Sequence, residues 1–173
     1  LTKTIREKNS VYLNELTARL KLPGLNVAYF NAIPAESFET TETYLLALGI
    51  TLALSGVPAL FSMPPEVDVK KAAHLMQARA RSQAFLPASA QMSINLDETV
   101  FAMLKISPDA NDLLLCLCNL SDAPYDLNIP SEKMGIPAEA WLDLLSEQTH
   151  ELTDGQKIHL EPLSPLWLLH SGK

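Results

Sequence analysis

Apolar and polar positions change rhythm about halfway along the chain, and the change divides it into two unlike parts. Over residues 1–22, Val11, Leu13, Leu16, Leu20 and Leu22 recur at near-helical spacing, and Pro23-Gly24 closes the run. Residues 25–31 make a short apolar run containing Val, Tyr and Phe, the pattern of a buried strand. A polar loop over 32–42 follows, where Thr40, Thr41 and Glu42 can cap the next helix. That helix, predicted over 42–55, is apolar on nearly every side and so must be packed on most of its surface, with Gly56 placed to end it. Residues 57–63 predict a second buried strand, closed by Pro64-Pro65. Residues 67–83 predict an amphipathic helix with Val69, Ala72, Ala73, Met76 and Ala80 facing inwards.

After about residue 86 the pattern shortens. Alternating segments at 91–96, 100–107, 113–120, 125–129, 140–145, 157–160 and 165–170 are separated by turn residues such as Pro108-Asp109-Ala110-Asn111 and Asp154-Gly155. The expected fold class is therefore α+β, with a helical and βα segment over 1–86 and an antiparallel, sandwich-like β domain over 87–173. Two parallel strands alone are a physical problem, because parallel sheets are normally covered on both faces and built from several strands. The simplest solution is that the βα units are the last of a longer structure, whose remainder is an upstream portion or a second copy of the chain. The chain begins on Leu1 rather than Met, so a processed, a clipped and an upstream-lacking sequence are all open expectations.

Composition changes this picture only by exclusion. With 47% hydrophobic and 19% charged residues the chain is globular, and a net charge of −7 with scattered Lys and Arg argues against nucleic acid. The longest apolar stretch, 43–61, is broken by Gly49, Gly56 and Pro58, so no membrane span is expected. Cys116 and Cys118 would point the same way on a strand, poorly placed to bridge each other, and read as buried thiols. With no signal-peptide pattern at the start, they make a cytoplasmic location the expectation.

Several stretches carry a family resemblance. LLALGITLALSGVPALF (45–61) resembles the passage into the eighth barrel strand of the alpha-amylase family. RARSQAFLPASAQ (79–91), the stretch 96–124, WLDLLS (141–146) and IHLEPLSPLWLL (158–169) are similar to the post-barrel segment and β domain of its sucrose phosphorylase type. The resemblance covers most of the chain from about Leu25 and implies the last two βα units of a (β/α)8 barrel followed by the C-terminal β domain. It implies a parent enzyme moving a glucosyl unit from an α-glucoside to phosphate with retention, which requires two carboxyl groups about 5 Å apart. In the family those groups come from strands four and five, upstream of this sequence. A third, in a His-Asp pair after strand seven, would fall near Pro34-Ala35, where Glu36 is the nearest carboxylate but is displaced by a residue and has no His before it. The loop after the eighth strand is also shorter than in the phosphorylases, reading SMPPEVDV over 62–69. No catalytic residue is therefore expected here.

Other chemistry is thin. His74, His150, His159 and His170 show no ligand spacing, no glycine-rich phosphate loop occurs, and neither metal nor cofactor is expected. Weak candidates for sugar contact are Trp141, Trp167 and Glu36, although both tryptophans sit in apolar strand-like runs where core packing is the simpler role. The acidic stretch Glu36, Glu39 and Glu42 is explained by a helix start alone. The expected function is the non-catalytic C-terminal portion of a sucrose phosphorylase-like enzyme. A stand-alone β-sandwich interaction module, or a degenerate family member regulating an active one, is the alternative. The βα face is expected to need covering, by dimerisation or by repacked helices.

Overall fold

The computed structural model describes residues 7, 9–19, 30–32, 40–59 and 63–172. Its first half runs α1 (Ser10–Arg19), β1 (Phe30–Ala32), α2 (Thr41–Ala53), β2 (Val57–Ala59) and α3 (Val69–Arg79), then a 3₁₀ turn at Gln83–Phe85. The strands β1 and β2 pair in parallel, with Phe30 opposite Val57 and Ala32 opposite Ala59, and α2 is the crossover between them. The Thr40 hydroxyl accepts the Thr43 N–H at 3.2 Å and so caps α2. From Leu46 to Ala53 every residue of that helix is buried, as its all-round apolar composition requires. Gly56, at φ 122°, makes the turn from helix to strand, a backbone position that suits glycine.

The second half contains β3 (Ala90–Asp97), β4 (Val100–Ile106), β5 (Asp112–Asn119), β6 (Tyr125–Asn128), the short helix α4 (Ser131–Met134), β7 (Ala140–Asp143), β8 (Thr149–Glu151), β9 (Lys157–Leu160) and β10 (Pro165–Ser171). Six of these form an antiparallel sheet in the order β3-β4-β5-β10-β7-β8, while β6 and β9 form a separate two-stranded sheet. Alternation along each strand assigns its side chains to two cores. Phe101, Met103, Leu114, Cys116, Cys118 and Trp167 cluster with the buried residues of α1, α2 and α3. Val100, Ala102, Leu104, Leu115, Leu117, Trp141 and Leu168 cluster instead with Leu127, Ile158 and Leu160 of the two-stranded sheet. The central sheet is thus covered on both faces, by helices on one side and by β6–β9 on the other. Mixed α+β architecture, helices first and antiparallel sheets after, is what the pattern predicts.

Particular expectations need correction. Helix α3 buries Ala72, Leu75 and Ala78, whereas Val69 is 61% and Met76 36% exposed. The helix has apolar residues on two faces, and Arg79 decides between them. Its guanidinium reaches the carbonyls of Leu52 at 2.9 Å, Phe85 at 3.2 Å and Gly56 at 3.4 Å, which turns the Leu75 side inwards. The helix also ends at Arg79 rather than at residue 83, since the Ser82 hydroxyl caps a new 3₁₀ turn by accepting the Ala84 N–H. In α1, Ser10, Leu13 and Thr17 face inwards while Val11 is 53% exposed. The strand predicted over 25–31 is described only from Phe30 and continues to Ala32, and that predicted over 57–63 is described over Val57–Ala59. Met63, the last residue of the second prediction, is not in a strand, and the remainder of both, with Pro34, Ala35 and Glu36, lies outside the described residues.

Candidate functional site

A groove of about 770 Å³ separates the helical layer from two turns of the β half. One wall is Glu42 and Leu45 of α2 with Lys70, Lys71, His74 and Leu75 of α3; the other is Asp143 at the end of β7, Leu145 and Ser146 after it, and the stretch 159–166 from the end of β9 into β10.

Local hydrogen bonding fixes the second wall. The Asp143 carboxylate, 4% exposed, accepts the backbone N–H groups of Leu145 and Ser146 at 3.0 Å each and the Ser146 hydroxyl. That closes a tight turn in which Glu147 takes φ 62°. Two side chains then tie the turn to α3 and its end. His74 Nε2 donates to the Leu145 carbonyl at 2.7 Å, and Arg81 pairs with Glu147 at 3.0 Å. The other turn is held by the Leu163 N–H on the Ser121 carbonyl at 3.1 Å and the Asn119 N–H on the Ser164 carbonyl at 3.2 Å. At its rim, His159 Nδ1 lies 2.8 Å from Asp126, and this hydrogen bond raises the imidazole above its ordinary pKa, with Glu161 adding to the pull.

The groove has an apolar floor in Leu45, Leu75, Leu160 and Leu163 beneath charges of both signs. Asp143 and His74 are engaged in holding the turn. Among the described residues, no group of three His, Cys, Asp or Glu is placed to hold a metal ion, and no helix is long and apolar enough to cross a membrane.

Of the weak sugar-contact candidates Trp141 and Trp167 are described, and they lie in different cores. Trp141 and Trp167 are both 0% exposed and offer no ring face to a ligand. Trp141 donates from Nε1 to the Pro137 carbonyl at 3.1 Å and stacks on His170 at 5.3 Å, in the core under β6–β9. Trp167 lies 4.9 Å from Phe85 on the helix side, and its N–H meets no acceptor among the described residues. Both are core residues. Cys116 and Cys118 are free and buried on the same face of β5, and burial raises both thiols, Cys116 to about 12. They are inert at neutral pH.

Sequence reasoning missed a polar cluster at the opposite end of α2. Lys105, wholly buried on β4, donates from Nζ to the Ala53 carbonyl at 2.9 Å, beside Arg79 on Leu52. The burial of Lys105 is explained only by the carbonyls at the end of α2, which lack donors within the helix.

No protein-family model matches the chain. Over 100 residues, 54% of the chain, it is 36% identical to glucosylglycerate phosphorylase of Spirochaeta thermophila, and it spans only 17% of that relative's length. Solved structures of similar fold include a maltogenic α-amylase from Thermotoga neapolitana, with a TM-score of 0.72 at 14% identity, covering 98% of the chain and 48% of that structure. Another is an Anoxybacillus α-amylase, with a TM-score of 0.62 at 12% identity, covering 76% of the chain and 33% of that structure.

Proposed function

From a chain homologous to glucosylglycerate phosphorylase over its matched stretch, and folded as the C-terminal part of α-amylase-family enzymes, we propose that it serves as the supporting C-terminal portion of a glucosyl-transferring enzyme. The parent reaction is phosphorolysis of an α-glucoside, as in the sucrose phosphorylase type. Here β1, α2, β2 and α3 are the closing βα units of a barrel, and the β-sheet half braces them. The acid, the nucleophile and the transition-state carboxylate belong to the remainder of the barrel, which is the partner of these units.

One observation carries this reading. Among the described residues the parallel pair β1–β2 has two strands, described over Phe30–Ala32 and Val57–Ala59, and its crossover helix is buried almost throughout. Parallel sheets of that size do not stand alone, so further strands are the natural complement. The sequence relationship supplies the chemistry that such a complement would perform.

The test is phosphate-dependent release of glucose 1-phosphate from sucrose and from glucosylglycerate. The purified chain should release none. Adding the separately produced barrel portion of the parent should restore turnover. Release by the chain alone would overturn the proposal, as would a barrel portion that is fully active without it.

A further inference from the structure

Helix α3 carries a second apolar face beside the one it buries. Val69, Ala73 and Met76, with Ala80 at its C-cap, recur every three or four residues and so share one side of the helix. Val69 is 61% and Met76 36% exposed, and Ala80 is exposed as well, while Ala72, Leu75 and Ala78 of the neighbouring face are buried. Lys71 and His74, which line the groove, project from the opposite side of the helix, so this stripe and the groove are separate surfaces.

The topology says what belongs on the stripe. Helix α2 crosses from β1 to the parallel strand β2 and is buried from Leu46 to Ala53. Helix α3 leaves β2 as the start of another crossover, but the chain then turns into antiparallel sheets, and among the described residues no strand lies beyond β2 for α3 to cross to. In a succession of parallel βα units each helix has a neighbouring helix on either side. Helix α3 has α2 on one side, held by the Arg79 bond to the Leu52 carbonyl, and the bare stripe on another. Along that stripe the larger Val69 and Met76 alternate with Ala73 and Ala80, which leaves gaps that the side chains of a packed helix can enter. More than half of the Thermotoga neapolitana α-amylase lies outside the part that this chain matches, enough to supply such a unit. We infer that the α3 stripe is the seat of a helix from the remainder of the barrel, the helix of the βα unit that follows β2 around the ring. This rests on reading β1 to α3 as the closing units of a barrel.

Methionine oxidation by hydrogen peroxide, resolved by peptide mass spectrometry, reads the stripe directly. Met92 of β3 is 48% exposed and Met103 is wholly buried, so they calibrate the two ends of the scale for Met76. In the purified chain alone Met76 should oxidise at a rate close to that of Met92, at every protein concentration. When the chain is co-expressed with the barrel portion of the parent and the two are purified together, Met76 should slow by about tenfold or more while Met92 keeps its rate. Met76→Glu, at an exposed position, should cut the amount of chain that co-purifies by about tenfold, whereas Lys71→Glu on the opposite side should leave it unchanged. A complex in which Met76 reacts as fast as in the chain alone would overturn the inference, and the phosphorolysis proposal would still stand if that complex releases glucose 1-phosphate. A complex that protects Met76 but releases none would uphold the seat and overturn that proposal. Protection in the chain alone would overturn the inference too, pointing to a second copy if it grows with concentration and to a segment of the same chain if it does not. Failure of the two portions to co-purify would overturn both.

Discussion

The central sheet and the parallel pair β1–β2 are built on opposite terms, although the same chain forms both. In the sheet, β4 and β5 pair along their whole lengths, and each buries both faces, one against helices and the other against β6–β9. The neighbours these strands need, β3 beside β4 and β10 beside β5, are all present. Among the described residues the β1–β2 pair has one partner for each strand, and the helix joining them is apolar and buried over most of its length. Antiparallel strands joined by tight turns can complete themselves, whereas parallel strands depend on crossovers and distant neighbours. A resemblance to one end of a larger fold follows naturally from that difference.

The comparison can be broken or sharpened by substitution. The largest effect should come from the sheet: Trp167→Ala removes the largest side chain of its helix-facing core and should cost about 3–5 kcal/mol in urea unfolding. Trp141→Ala should cost a similar amount through the opposite face. A cost confined to one face would show that the two cores are not equal supports. Next is the seam between the halves. A Cβ added at Gly49 of α2 would lie 2.8 Å from Cγ of Pro165 on β10, so Gly49→Ala should cost about 1–3 kcal/mol despite alanine's better helix propensity. A neutral or stabilising result would mean that α2 sits less closely on β10 than described. The smallest effect should be at the groove, where Arg81→Ala breaks an exposed pair with Glu147 and should change stability by no more than about 1 kcal/mol.

How much of this was legible in the sequence follows from the same difference. Strands β4, β5 and β10 could be read because turn residues bracket them and apolar residues fill them, even where burial on both faces removes the alternation. Strand β8 could not be read, since Thr149, His150 and Glu151 lie at the sheet edge and carry no apolar signal. The four-residue helix at Ser131–Met134 is too short for periodicity to register. The inward face of α3 was misjudged because Val69 and Met76 count as apolar in any pattern, while the deciding residue, Arg79, counts as polar. Lys105 was invisible for the same reason: a lysine in VFAMLKI marks a strand end by pattern, and only the α2 carbonyls explain its burial. The two tryptophans were placed where their apolar surroundings suggested. Glu36 lies outside the described residues.

Residue-resolved hydrogen exchange on the purified chain tests the contrast between the halves most directly. Amides of β4, β5 and β10 should exchange at the slow limit set by global unfolding, while those of β1 and β2 exchange far faster and slow down when the barrel portion of the parent is added. Equal protection of β1–β2 and the central sheet in the chain alone would contradict the account.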